Sequence, residues 1–406
     1  MNADGTDRRV AVTGIGCVSA AGIGLPALAD AASEGRSCID EISLFDPEPY
    51  RCRHAAEIVD FEVDAFLESP KAYLDRHSEL AFAAMRLARE DAGWNTAGAV
   101  PRSRTGLNFG TAYGCIETMG RCFDDLLSKG ARFVKPVLFP HAYANTTSSL
   151  LAIEYGLDGH HLNFSAGGVS SALALVDAFD RIRTGRLDVA VVGGCEAFSE
   201  VLHAGLDGAG VLADTVAGPA GAWAPFDTRR SGCVPGEGAA VLILESLDHA
   251  RERGARIRAE VCSGGIGVSF SAATLNELMR HTAAKTGGDG PDAILASANG
   301  SPTGDRDEAG AVRAFSRDAG RAIPVGSIKT CIGETFGASG VFQAAAGVSM
   351  LQDGCVWPAT GVEAVEAGVE LVRDKPRAMA LRRVAVNVTD PGGTAVCLFL
   401  TKTDGE

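Results

Sequence analysis

The sequence of 406 residues has no basic cluster. Its 37 Lys and Arg stand against 51 Asp and Glu, for a formal net charge of −14, and no run of Lys or Arg interrupts that balance. A polyanion would meet repulsion here, so nucleic-acid binding is not expected. Nor is there a stretch of about 18 strongly apolar residues, the length a helix needs to cross a bilayer, so no membrane span is expected. The segment RRVAVTGIGCVSAAGIGLPALADAA, from Arg8 to Ala32, mimics a secretion signal. Asp4 and Asp7 spoil its basic start, however, and Pro26 and repeated glycines break its apolar stretch. The expected location is the cytoplasm. The 11 cysteines contain no CxxC spacing, and their closest pair, Cys115 and Cys122, has no clustered His beside it. That argues against a structural metal site and predicts reduced thiols serving as small buried hydrophobes. A dinucleotide fingerprint is missing too. TGIGCVSAAG has Ser19 where GxGxxG needs its third glycine, and no acidic strand end follows at the required distance. The segment reads as a strand Arg9–Thr13, a Gly-rich loop and a helix. Neither a metal nor an organic cofactor is expected.

What the chain does have is alternation. Strand-like runs (RVAVTG, TGLNFG, HLNF, DVAVVGG, AAVLILE, IRAEVCSGG, AILASA, PVGSI, AVCLFL) are separated by helical ones such as Ser78–Ala92, Ile116–Ser128 and Gly340–Met350. This pattern predicts α/β layers with mostly parallel strand pairing. It occurs twice, in 1–252 and in 253–406, with the charged segment SLDHARERGARIRAEV between the two. Each half ends near a Gly-rich turn, GGCEA and PGGTAV, as an internal duplication would. A chain this long can bury roughly three quarters of its unfolded surface.

From His160 to Gly194 the sequence reads HHLNFSAGGVSSALALVDAFDRIRTGRLDVAVVGG. A short strand meets a turn of small residues, then a helix from about Val169, with Leu173, Val176, Phe179 and Ile182 on one face and Gly185 at its end. Such a turn presents nucleophiles, because free N–H groups and the helix dipole favour a thiolate or an oxyanion. Yet the turn residue is Gly168, which has no side chain. GVSSA, from Gly168 to Ala172, is close to the GxSxG elbow of α/β-hydrolases and offers Ser170 as an alternative nucleophile, although Ala172 replaces the final glycine. The histidines that follow, His203, His249 and His281, stand in no evident catalytic context.

The segment PFDTRRSGCVPGEGAAVLILESLDHARERGARIRAEV, with DVAVVGGCEA, IPVGSIKTCIGETFGASGVFQ and NVTDPGGTA in the same order, resembles the β-ketoacyl synthase family over nearly the whole chain. The resemblance implies a thiolase-like fold of two similar halves in a five-layer αβαβα arrangement, and an obligate dimer. Active members use a Cys nucleophile and two His. Matched motif by motif, the Cys position is Gly168, the first His position Asn299 and the second Glu334, while the supporting Lys is kept as Lys329. Asp305 and Glu308 keep the family's spacing, although the loop after Asn299 is about two residues shorter. The gatekeeping Phe is absent from the turn Asp390-Pro391-Gly392-Gly393.

With all three catalytic groups missing, this chain resembles the chain-length factor of type II polyketide synthases, including those of polyene-type pathways. Chain-length factors of aromatic pathways often carry Gln at the position of Gly168. The resemblance implies an active ketosynthase as heterodimer partner and an acyl carrier protein bearing the growing chain. It also implies a substrate tunnel lined by Ile116, Met119 and Phe123, where residue spacing alone allows ordinary core packing. By the same analogy, the strand Asp188–Gly193 pairs across the two-fold axis. Two alternatives stand beside this reading: a serine-type acyl hydrolase using Ser170, and a divergent ketosynthase acting as a homodimer.

Overall fold

Strand β1 (Val10–Ser19) is buried along its whole length although it carries Gly14 and Gly16. The reason is helix α1 (Arg76–Ala92), which crosses it at backbone contact distance. A methyl group on Gly16 would lie 2.1 Å from the Ala84 carbonyl oxygen, and one on Gly14 would lie 2.4 Å from that of Ala88. The glycines expected to form a loop after Thr13 are therefore strand residues, selected for close approach of a helix and not for a turn. Asp75 starts α1 by accepting the His77 N–H, and Gly93 ends it in a left-handed conformation. The structure, a computed structural model, describes residues 7–94, 102–216, 222–287 and 290–403.

The first set of strands continues with β2 (Thr105–Gly110), β3 (His161–Phe164), β4 (Val189–Glu196) and β5 (Gly238–Ser246). Helix α2 (Ile116–Lys129) follows β2, and helix α3 (Ser170–Arg183) follows β3. The second set is β6 (Ala259–Val268), β7 (Ala293–Leu295), β8 (Val325–Gly326), β9 (Arg383–Thr389) and β10 (Thr394–Thr401). Between them run α4 (Ala272–Ala284), α5 (Gly304–Asp318) and α6 (Ser339–Asp353). The strands hydrogen-bond in the order β8-β7-β9-β10-β6-β1-β5-β4-β2-β3. Read outward from the centre, β1-β5-β4-β2-β3 and β6-β10-β9-β7-β8 are the same order, as a duplicated unit would give. The halves join edge to edge, with Val10 opposite Val261 and Val12 opposite Ala259.

Alternation along the strands shows the layers. Ala190, Val192, Leu242 and Leu244 enter a central core with Val384, Val386, Leu398 and Leu400 of the second set. That core encloses α3 and α6, which touch where a methyl on Gly340 would meet Ala172 Cβ at 2.6 Å. The opposite faces, Val189, Val191, Val241 and Ile243, pack under α1. In the second set, Ile294, Ala385, Cys397 and Phe399 pack under α4 and α5. Five layers result: helix, sheet, the paired helices α3 and α6, sheet, helices.

Two expectations are corrected. The sheet is mixed: β1 pairs antiparallel with β5 and β6, as do β4 with β5, β9 with β10 and β10 with β6, and parallel pairing is confined to β2, β3, β4, β7, β8 and β9. Apolar runs carry no sign of strand direction. The strand expected to pair across a two-fold axis, Asp188–Gly193, is interior, flanked by β2 and β5. The outer edge belongs to β3, whose His161 and Leu162 are exposed and which has no second strand partner among the described residues. The 11 cysteines are free thiols, and no helix among the described residues is long and apolar enough to cross a membrane.

The β1–α1 contact makes a direct prediction. Gly16→Ala forces α1 away from the sheet and is expected to destabilise the fold by about 1–3 kcal/mol. Gly208→Ala, where an added methyl meets nothing within 4 Å, is expected to be neutral or slightly stabilising, since Ala favours the helix. Urea titrations of the two variants measure this; equal midpoints would show that α1 does not rest on the glycines.

Candidate functional site

Gly168 lies in the turn between β3 and α3, one residue before the helix N-cap Val169. Its N–H does not point to an open space. It donates to Asp390 Oδ2 at 2.7 Å, and the other oxygen of that carboxylate accepts the Gly392 N–H at 2.7 Å. A methyl on Gly168 would sit 3.6 Å from the same Oδ2, an ordinary contact, whereas one on Gly167 would collide with it at 2.1 Å. Two turns far apart in sequence, 165–168 and 390–393, are thus stapled by one carboxylate.

Glu334 is buried against Lys329, whose Nζ lies 2.9 Å from Oε1 and 2.6 Å from Ser339 Oγ. Oε1 also accepts from Ser339 Oγ and, at 2.7 Å, from the Phe336 N–H; Oε2 accepts Asn299 Nδ2 at 2.7 Å. Burial alone would raise the Glu334 pKa, but the Lys329 ammonium and the hydrogen bonds from Ser339 and Asn299 outweigh it and hold the carboxyl below its usual value. Asn299 and Glu334, which the motifs match to the two His positions, are therefore bonded to each other. Asn299 gives its amide to Glu334, while its oxygen accepts the Ser301 N–H at 3.1 Å.

Asp305 and Glu308 on α5 shape the loop that carries Asn299. Asp305 accepts the N–H groups of Phe226, Asn299 and Gly300, and Glu308 accepts those of Ser297 and Ala298 and the Asn387 amide. Burial pushes their carboxyls up, to about 6 and about 7, against the lowering pull of these donors.

Ser170 is not a nucleophile. Its hydroxyl donates to the Gly167 carbonyl at 2.7 Å and accepts the Ala166 N–H at 2.9 Å, so it closes the turn it sits on. Two of the histidines that follow it in sequence are engaged elsewhere: His203 Nε2 meets the Cys52 carbonyl at 2.8 Å and His249 Nδ1 meets Glu245 at 2.6 Å. The hydrolase alternative fails on this geometry.

Ile116, Met119 and Phe123 share one face of α2. Ile116 packs on the small core that includes Leu202, Leu206, Leu212 and Phe336. Met119 is half-buried and Phe123 is 53% exposed, so this face is not core in the single chain. The apolar exposure continues through Leu126, Leu127, Phe133, Val137, Phe139 and Tyr143. A cleft of about 710 Å³ lies against the other face of α2, at Glu117, Arg121 and Asp124.

Two features escaped sequence reasoning. One is the Asp390 staple; its only signal was an Asp in a turn that reads as a turn-former. The other is the buried pair His77 and Glu196 beneath the loop leading to α2. Burial pushes the Glu196 carboxyl up to about 8 despite donors at Thr111 and the N–H groups of Ala112 and Tyr113, and burial pushes His77 down to about 4. Burial thus works against charge on both groups, and Thr111 bonds to each. No grouping of three or more His, Cys, Asp or Glu able to hold a metal occurs among the described residues.

Comparison with known proteins places this geometry. The family model for the β-ketoacyl synthase N-terminal domain matches residues 7–250, and that for the C-terminal domain matches residues 263–363. The chain is 34% identical over 381 residues to the tetracenomycin polyketide synthase ketoacyl synthase alpha subunit of Streptomyces glaucescens, covering 88% of each. It is 30% identical over 376 residues to 3-oxoacyl-[acyl-carrier-protein] synthase I, chloroplastic, of Arabidopsis thaliana, covering 86% of this chain and 77% of that one. Among solved structures, the ishigamide ketosynthase/chain length factor superposes with a TM-score of 0.90 at 26% identity, over 98% of this chain and 100% of that one.

The Glu334–Lys329 pair carries the prediction here. Lys329→Met leaves a buried carboxylate without its counter-charge and is expected to destabilise the chain by about 3–5 kcal/mol near pH 7.5. In the native chain the Glu334 pKa is depressed, so its contribution is present above the unfolded value and is lost as pH falls through the folded one. In Lys329→Met, burial raises that pKa and protonation relieves the penalty. The gap between the two proteins should therefore shrink towards pH 5, and Lys329→Met/Glu334→Gln should recover most of it. Urea unfolding at both pH values reads this out; a gap independent of pH would contradict the pairing.

Proposed function

This chain belongs to the β-ketoacyl synthase family, and we propose that within it the chain is a non-catalytic subunit of the chain-length-factor type in type II polyketide biosynthesis. It would pair with an active ketosynthase and shape the tunnel that receives the growing acyl chain. One observation carries this reading: at the positions that the motifs match to the family's Cys and two His stand Gly168, Asn299 and Glu334, and Glu334 is bonded both to Asn299 and to Lys329. Glycine forms no thioester. A carboxylate at the second His position opposes the enolate that decarboxylation develops. Losing both effects removes many orders of magnitude in rate.

The surface supports a partner. Phe123, Leu126, Leu127 and the apolar residues that follow are exposed on one continuous segment, and β3 offers an unpaired strand edge. Monomers rarely leave such surfaces open. The ishigamide structure, by its name, contains a ketosynthase and a chain length factor, and the Arabidopsis relative is named for the 3-oxoacyl-[acyl-carrier-protein] that it makes. An active ketosynthase and an acyl carrier protein are accordingly the partners proposed.

Co-expression with a ketosynthase that has an intact Cys and two His should yield a heterodimer by size exclusion and subunit mass. With carrier protein and malonyl units, only the pair should condense chains. A stable monomer indifferent to the ketosynthase, or a homodimer active alone, would overturn the proposal.

The tunnel assignment for Ile116, Met119 and Phe123 is tested in the same assembly. An extended chain lengthens by about 1.2 Å per carbon, so one two-carbon unit needs about 2.4 Å of extra depth. Each buried CH₂ contributes about 0.8 kcal/mol, enough to shift a product distribution several-fold. Phe123→Ala and Met119→Ala should lengthen the products and Met119→Trp should shorten them, read by mass spectrometry. Unchanged lengths in all three assembled variants would remove this face from the tunnel.

A further inference from the structure

The carboxylate of Asp390 accepts the hydrogen bond that the carbonyl oxygen of an acyl group at the Gly168 turn would need. An N–H at a nucleophile turn, together with the free N–H groups of the following helix, is where the oxygen of a thioester carbonyl is held as it gains negative charge. In this chain the Gly168 N–H is already satisfied by Asp390 Oδ2, at 2.7 Å. The donor is spent on an internal anion.

Access is arranged to match. A cavity of about 240 Å³ is lined by Phe270, Ser297, Asn299, Thr303, Thr389 and Asp390 but not by Gly168. Asp390 thus both lines the cavity and bonds the Gly168 N–H. The carboxylate is held in that place from its own side as well, since the Gly392 N–H binds Oδ1 at 2.7 Å and the Gly393 N–H binds the Asp390 carbonyl at 2.8 Å. The other charged groups of this neighbourhood are Asp305 and Asp307, which line the same cavity, and Glu334 with its partner Lys329. The Tyr113 phenol is pushed up by burial first and then by Glu196, Cys233, Glu334 and Asp390. Of these carboxylates it is Asp390 that hydrogen-bonds Gly168.

We infer that Asp390 is an internal lock that closes the acyl site of this subunit, excluding a thioester carbonyl from the Gly168 turn whether or not a nucleophile stands there. This rests on the non-catalytic reading above and adds to it a reason why the empty site does not divert acyl chains from the partner. It also means that restoring the nucleophile alone would not reopen the site.

The test introduces a thiol. A methyl at position 168 meets Asp390 Oδ2 and the Thr389 carbonyl at 3.6 Å, so Gly168→Cys is sterically admitted. Alkylation by iodoacetamide, in which the thiolate displaces iodide, reads thiolate availability. A carboxylate facing the thiol disfavours its ionisation by about one pKa unit or more. Gly168→Cys/Asp390→Asn, which keeps the Gly392 contact, should therefore alkylate about tenfold faster at pH 7 than Gly168→Cys, with a lower pH midpoint. It should also accept an acyl group from a hexanoyl-pantetheine thioester where Gly168→Cys does not. Equal rates, midpoints and acylation in the two variants would overturn the lock. If neither variant folds, amide exchange in the Gly168 background decides: Asp390→Ala should speed exchange of the Gly168 N–H, and an unchanged rate would contradict the lock. The original chain is treated with the same thioester in parallel. Label on it would refute the non-catalytic reading, a result separate from the comparison between the thiol variants.

Discussion

Glu334 is tolerable in the interior only because four donors converge on it: the Lys329 ammonium, the Ser339 hydroxyl, the Phe336 N–H and the Asn299 amide. An unpaired carboxylate at this depth would protonate or unfold its surroundings. Much else in the site follows from that demand. Asn299 is turned inward to serve Glu334, and its loop is held by Asp305 and Glu308 in the position that makes the contact. The charge of Lys329 is neutralised locally by Glu334, and the region is a closed polar cluster.

Such a cluster can persist because the scaffold is built for shape as well as chemistry. The central layer requires α3 and α6 to touch at Ala172 and Gly340, and β1 requires glycine beneath α1. Those contacts do not depend on what stands at position 168. The turn there keeps its form through Ser170, whose hydroxyl bridges Ala166 and Gly167, and through Asp390. Glycine at 168 is thus compatible with the turn, while part of the outward face of α2 and the edge of β3 are exposed in the single chain.

The legible parts of the sequence were those written in long motifs. The blocks around Gly168, Asn299, Glu334 and Lys329 were located by resemblance, and the structure brings Asn299, Glu334 and Lys329 into one network. The misreadings were local. GVSSA pointed to Ser170 because a five-residue pattern does not say where a hydroxyl points, and here it points to backbone. Gly14 and Gly16 were read as a loop because glycine serves turns and close helix contacts alike. Strand direction was misjudged because burial on both faces gives the same apolar run in parallel and antiparallel sheets. Asp390 passed unnoticed because its partner is more than 200 residues away, and only the fold makes them neighbours.

Acylation measured subunit by subunit is the most direct test of the central claim. The assembled pair of this chain and an intact ketosynthase is incubated with a carrier-bound acyl thioester, and each subunit is weighed by intact-mass spectrometry. The account predicts one acyl group per heterodimer, carried entirely by the ketosynthase, with this chain at its unmodified mass. A stable acyl adduct on this chain would contradict it.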